Sequence, residues 1–293
     1  MFEEIKIFLI VSLNSLPLGS IYCLLALSYV LIFKATKIMN LCQGEIMMLG
    51  AYVTYSAVNS KLPFVPAVLI ALLITAFAVF PLEKFIVRKF MGKPIFVSIM
   101  ATVGLGILLR GLIGLLWGVE QKVLYFPHFE KMVRLPLLHM NFGKLSIILT
   151  AIVFILVLEL FFRTSRIGMA MRSTASNLSA SMIMGVNVGH IFSLSWIFAS
   201  VVSVFTGVFL AKLFILEPGI SQYGFIALSA LVLGGVDSVM GTIIAGYLVG
   251  LAENLSIFYL GGESKSLAGF VIMFSVLMIK PYGLFGIKKI ERV

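Results

Sequence analysis

An all-α, polytopic membrane fold is what this sequence predicts, and three features predict it. Of the 293 residues, 61% are hydrophobic and 12% charged, with a mean hydropathy of +1.13; a soluble domain carries about twice that share of charge. The apolar residues gather in runs near the roughly 20 residues needed to cross a hydrocarbon core of about 30 Å. The runs do not alternate in polarity as the strands of a barrel would. In lipid a segment must satisfy its own backbone hydrogen bonds, which leaves the helix.

The runs fall at about 7–33, 38–58, 64–82, 95–118, 146–162, 191–211, 225–258 and 266–279. The first contains Asn14, Pro17 and Gly19, any of which could break it. The second opens on Asn40-Leu41-Cys42-Gln43-Gly44-Glu45, so a broken or re-entrant start is expected within 38–50. The next four read as plain spans, the run 95–118 carrying Arg110. The run 225–258 is too long for one crossing and must begin and end on the same side if 266–279 is to descend to the tail. A break at Gly234-Gly235 gives a first arm of about 12 residues, about 18 Å long and too short to span. A broken or re-entrant pair over 225–241 follows. The count is about eight transmembrane helices (7–9) in one domain, 1–293.

Orientation follows from lysine and arginine, which concentrate on the cytoplasmic side. Lys34 and Lys37, then Lys84, Arg88, Lys89 and Lys93, then Arg163, Arg166 and Arg172, then Lys280, Lys288, Lys289 and Arg292 form the dense groups. Placing them in the cytoplasm puts the N-terminus outside and the C-terminus inside; a break in the first run would reverse the N-terminus. The same clustering at span ends accounts for the net charge of +10 and argues against nucleic-acid binding. The start, with Glu3 and Glu4, lacks the basic region of a removable signal peptide. Cys23 and Cys42 lie in apolar segments with no metal-binding spacing.

Three places could carry function. The first is Asn40, Gln43, Gly44 and Glu45. Ionisable residues inside spans usually face a cavity, a partner or the bundle interior; a helix cap at the interface is the equal alternative. The second is Gly234, Gly235, Asp237 and Ser238, where paired glycines make a break and Asp237 or Ser238 caps the next helix. Broken helices in transporters place backbone dipoles near a substrate path, whereas a tight packing turn needs the same glycines. Gly241, Gly246 and Gly250 beyond them allow close helix approach. The third lies in a basic linker. Met171, Ala175, Leu178 and Met182 recur at helical spacing after Arg172. Ser173 or Thr174 caps the start and Gly185 ends the helix as its left-handed residue. One short amphipathic helix, Ser173–Gly185, with Asn177 and Ala180 among its intervening residues, is therefore expected. It suits a protein groove better than lipid, because those residues are not lysines.

No Gly-x-x-x-x-Gly-Lys-Ser/Thr run is present, so no phosphate-cradling loop is expected, nor enzymatic activity of the chain itself. His128, His139 and His190 fall in loops or at a span end and read as solvated side chains.

The order of these motifs resembles the permease of the high-affinity branched-chain amino acid importer, an ATP-binding cassette system. The match runs through Leu18–Leu27, Asn40–Glu45, Thr164–Arg172 with Gly185–Asn187, Leu233–Gly241 and Pro281–Gly286. Gln43 stands where that family commonly has His, and Asp237 where it commonly has Gly. The resemblance implies an inner-membrane subunit paired with a second, related permease chain. It also implies two ATP-binding subunits that use ATP and Mg²⁺ and an extracytoplasmic substrate-binding protein, with no cofactor held by this chain. It marks Arg172, Ser173, Ala175, Asn177, Leu178, Ala180, Met182 and Gly185 as an ATPase-coupling helix. It marks Asn40–Glu45 and Gly234–Ser238 as candidate pathway. The expected cargo is leucine, isoleucine or valine. Urea, amides or sugars on the same scaffold, or a self-sufficient secondary transporter or channel, are the alternatives.

Overall fold

The computed structural model describes residues 2–90, 92–135 and 138–286. Lys288, Lys289 and Arg292 of the basic tail lie outside them. The first run becomes two helices, α1 (Phe2–Asn14) and α2 (Leu16–Thr36), joined at Ser15 beside Asn14. Pro17 stands in the first turn of α2, where its missing N–H leaves no bond unmade. Helix α3 (Gln43–Asn59) begins five residues later than its apolar run. Pro63 precedes α4 (Phe64–Phe85), and Pro94 precedes α5 (Ile95–Trp117), which stops at Gly118 with φ +76°. An antiparallel hairpin, β1 (Met132–Leu135) with β2 (Leu138–Asn141), then interrupts the expected all-helical pattern after α5.

Beyond it come α6 (Phe142–Thr164), α7 (Arg166–Ser176), α8 (Leu178–Ile183) and α9 (Val188–Leu213). They are followed by α10 (Tyr223–Gly234), α11 (Val239–Leu260) and α12 (Lys265–Ile279). The break at Gly234-Gly235 is where the sequence placed it, and α10 has the expected 12 residues. Among the described residues, six helical stretches are long and apolar enough to cross a membrane. They are Glu4–Thr36, Phe64–Phe90, Phe96–Trp117, Phe142–Thr164, Val188–Leu213 and Val239–Leu260; Pro218–Gly234 and Leu267–Ile279 are shorter apolar segments. This is a helical, multi-pass membrane protein.

The expected helix Ser173–Gly185 is corrected. Helix α7 starts earlier, at Arg166, where Ser165 accepts a hydrogen bond from the Gly168 N–H. It ends at Asn177, whose extended backbone and side-chain bond to the Ala180 N–H start α8 afresh. An asparagine side chain competes with the helical ladder for backbone donors, so it divides the segment. Gly185 does end α8 in the left-handed region, φ +82°, and the Val186 N–H reaches back to the Ser181 carbonyl at 3.0 Å.

Contacts divide the chain into two compact units, Met1–Val30 with Phe126–Val153 and Ile226–Val293, and Leu31–Tyr125 with Phe154–Phe225. In the second unit α3 is the axis, packed by α4, α5 and α9. Every residue from Gln43 to Thr54 is buried. The approach of α9 requires glycine: a Cβ on Gly207 would collide with the Met47 carbonyl, and one on Gly50 would stand 2.7 Å from Val204. The outer face of α4 carries Leu69, Leu73 and Phe77 at four-residue spacing, all exposed, which lipid accepts and water does not. In the first unit the expected glycines on α11 do bring it against α2. A Cβ on Gly250 would stand 2.5 Å from the Gly19 Cα, and one on Gly246 would stand 2.7 Å from the Cys23 Cα. Cys23 and Cys42 are both buried free thiols.

Gly207→Ala should therefore lower stability by about 1–3 kcal/mol, the usual cost of overpacking. Gly104→Ala should not, since a Cβ there meets nothing within 4 Å. Thermal unfolding in detergent distinguishes them, and equal midpoints would contradict the α3–α9 contact.

Candidate functional site

The linker Lys37–Cys42 folds into the interior of its unit because its polar groups close on one another and on neighbouring helices. Asn40 Nδ2 donates to Gln43 Oε1 at 2.7 Å, and Asn40 Oδ1 accepts from the Cys42 N–H at 3.2 Å. Gln43 Nε2 donates to Ser203 Oγ at 2.6 Å and to the Ala199 carbonyl at 3.3 Å, both on α9. Gly44 passes so close to the Ser221 carbonyl that no side chain fits. Asn40 and Gln43 are buried and bonded within the protein, so they brace the start of α3. Gln43 gives one donor set to α9 and one acceptor to Asn40.

Glu45 lies in the first turn of α3, where the helix dipole favours a carboxylate. It is 4% exposed, and its Oε1 accepts from Arg110 Nη2 on α5 at 2.6 Å. The sequence offered both residues as charges inside spans without joining them. Gly106 on α5 makes room for the pair: a Cβ there would stand 3.2 Å from Glu45 Oε2.

Two further carboxylates, Glu83 and Glu253, are buried. Glu83, at the end of α4, is held by Arg88 through Nε at 2.9 Å and Nη2 at 2.7 Å, a bidentate pair. The same Nη2 donates to the Gly189 carbonyl and Ser193 Oγ, and Ser193 Oγ donates to Glu83 at 2.7 Å. This ties α4 to the start of α9. The available signal was Glu83 five residues before an arginine at a span end. In the other unit Glu253 is fully buried, accepts a hydrogen bond from the Tyr22 hydroxyl, and has Lys265 Nζ at 3.6 Å. Its signal was a lone carboxylate in the middle of an apolar run. Glu159, by contrast, makes an exposed i,i+4 pair with Arg163.

Gly234, Gly235 and Ser238 sit in a backbone clasp. Gly235 has φ +99°, and a Cβ on it would stand 2.6 Å from the Gly286 nitrogen. The Leu284 N–H donates to the Leu233 carbonyl at 2.8 Å and the Phe285 N–H to the Gly234 carbonyl at 3.2 Å. Residues 281–286 thus take up carbonyls that the end of α10 leaves open. Ser238 caps α11, accepting from the Gly241 N–H at 3.0 Å. Asp237 is half-buried. The two expected pathway groups fall in different units, Asn40–Glu45 in one and Gly234–Ser238 in the other.

Three basic linkers share one end of the second unit. Thr174 of α7 donates to the Ala35 carbonyl at the end of α2, at 3.4 Å. A cavity of about 260 Å³ is lined by Lys37, Lys93, Ser98, Thr174, Ala175 and Leu178 among others. Lys34 lies over the Phe162 ring, 5.1 Å from its centroid. Met171 and Thr174 are buried and Ala175 and Leu178 half-buried, so α7 rests on the membrane body. Arg172, Ser173, Asn177 and Ala180 face outward. Met182, Ile183 and Met184 at the tip of α8 are 53%, 86% and 83% exposed.

Apolar helices of membrane-crossing length, with charged pairs between them, make this a multi-span membrane protein. The protein family described as "Branched-chain amino acid transport system / permease component" matches residues 11–279, and the chain belongs to it. It is 27% identical over 310 residues to the high-affinity branched-chain amino acid transport system permease protein LivH of Salmonella typhimurium, with both chains covered in full. It is 25% identical over 295 residues to the permease protein BraD of Pseudomonas aeruginosa, with 96% of each covered. The probable permease LivH of Methanocaldococcus jannaschii is 25% identical over 297 residues. Among solved structures, PsaBC from Streptococcus pneumoniae in complex with Fab shares the fold, with a TM-score of 0.52, 14% identity, and 93% of this chain and 92% of that chain covered.

A double-mutant cycle tests the central pair. Glu45→Ala, Arg110→Ala and the double variant should show a coupling of about 1 kcal/mol or more, within the 0.5–3 kcal/mol typical of contacting residues. Additive losses in detergent unfolding would mean the two side chains do not meet.

Proposed function

We propose that the chain is one of two permease subunits of an ATP-binding cassette importer for leucine, isoleucine and valine. Its membrane helices supply half of the passage. Two partner subunits bind ATP and Mg²⁺, and an external binding protein delivers the cargo. The cargo follows the names of the relatives. The division of labour follows the family and the lack of any phosphate-cradling motif in the sequence.

The observation that carries the reading is the elbow of α7 and α8. It stands on the basic end, which we assign to the cytoplasm on the positive-inside rule. Its base is buried against the body, while its tip presents Met182, Ile183 and Met184 bare. A short helix with an adaptable Met-rich tip fits a groove in a partner protein. Asn177 sets the angle between the two helices and Gly185 the exit from the second, so the elbow transmits a push on its tip to the ends of α2 and α9.

Ile183→Asp changes a side chain that supports nothing in this chain, and exposed changes cost within about 0.5 kcal/mol. Membrane insertion should be normal, while co-purification of the ATP-binding subunit and cargo uptake should fall sharply. Gly185→Val should act similarly by straining the left-handed residue by about 1–2 kcal/mol. Unchanged co-purification with Ile183→Asp would refute the docking role. Uptake of urea or sugars in place of leucine, isoleucine and valine by the reconstituted importer would refute the cargo.

A further inference from the structure

Helix α5 has 23 residues, and Arg110 lies seven residues before its last, Trp117. At a rise of 1.5 Å per residue this is about 10 Å in from the helix end. An arginine facing lipid at the centre of a span costs about 2.5–3.5 kcal/mol on insertion scales. Yet 42% of the Arg110 side chain is uncovered. Its other side is pinned by Glu45, and its Nε is buried with no hydrogen-bond partner among the described residues. A guanidinium has five N–H donors in a fixed fork, so donors are left over.

Its helix neighbours show which half is open. Gly106 and Ile113 lie on the buried side, the first against Glu45 and the second 1% exposed. Ile107, on the other side, is 70% exposed. A helical side chain leans toward the N-terminus and covers the turn before its own Cα. Residue 114 is therefore the one that would cover Arg110. It is glycine, and a Cβ at Gly114, or at Gly111, would meet nothing within 4 Å. The guanidinium is fixed from behind and bare in front.

We propose that the open half of Arg110 faces the passage and receives the carboxylate of an amino-acid cargo. Glu45 orients the guanidinium, and Gly111 and Gly114 leave the space. The proposal rests on the function argued above and names the residue that serves it. A planar guanidinium pairs with a carboxylate through two parallel hydrogen bonds. Glu45 already offsets much of its charge, so the hold is weak enough to release. Lipid provides no acceptor for the remaining donors; a water-lined passage does.

The native thiols of this chain are buried, so Gly114→Cys gives it one accessible thiol, and labelling in the assembled importer is read on this chain alone. That thiol should react about fivefold faster with an anionic than with a cationic methanethiosulfonate, the effect of a nearby cation at intermediate dielectric. The preference should be lost or reversed when Arg110→Gln is added, because Glu45 is then left without its cation, and leucine should slow the labelling. Gly114→Ala should lower leucine uptake and Gly114→Leu should abolish it, while both variants still co-purify with the partner subunits. Equal rates, a preference that survives Arg110→Gln, or labelling only by a membrane-permeant maleimide or by nothing would overturn the proposal. The charge preference is read without cargo, so it stands or falls apart from the wild-type uptake assay that tests the proposed function.

Discussion

At Gly207 the backbone of α9 lies against the Met47 carbonyl of α3 with no room for a methyl group. That approach buries α3 on all sides from its first residue, and the remaining features of the unit follow. A helix buried from its first turn cannot leave its opening N–H groups and polar side chains to water. Asn40, Gln43 and Glu45 are therefore closed by one another, by Ser203 and Ala199 on α9, and by Arg110 on α5. The charge that α3 carries inward fixes the charge that α5 must supply. Because α5 is itself half-covered, its arginine is the place where this inner network meets the outside of the chain.

Much of this architecture was legible in the sequence. The membrane runs, the break at Gly234-Gly235, the cap at Ser238 and the left-handed exit at Gly185 all depend on neighbouring residues, and composition and local chemistry specify them. The glycines of α11 were also readable, since helices meet in lipid through small residues. What escaped depends on partners far along the chain. Tyr22 and Glu253 are 231 positions apart, and no local pattern joins them. Glu83 looked like the edge of a basic linker because the serine and carbonyl that help enclose it belong to α9. The start of α7 was placed too late because its apolar residues do not keep to one face: Ile167 and Met169 are exposed while Met171 is buried. Asn177 was read as one exposed position on a continuous helix, although its side chain begins a new one. Each strand of the hairpin near residue 135 is four residues long and mixes apolar with polar residues, too short a run for its period to be read.

The candidate residues divide by the work they do. Asn40, Gln43 and Gly44 shape the interior, and Gly234 and Gly235 shape a chain crossing. Arg110, with Glu45 behind it, keeps capacity to bind something further. The elbow of α7 and α8 keeps an uncovered apolar tip.

The clasp at the end of α10 has a consequence for how the chain is made. The carbonyls of Leu233 and Gly234 are taken up by the N–H groups of Leu284 and Phe285, which are synthesised only after α11 and α12. Gly19, near the start, must likewise wait for Gly250 before α2 has its neighbour. The unit built on α3 draws on residues 31–225 and has all its parts once those are synthesised. The other joins residues 1–30 to residues 126–153 and to the segment from 226 onward, and it cannot close until those later segments have been made. A chain interrupted before Leu284 leaves the carbonyls at the end of α10 without these two donors.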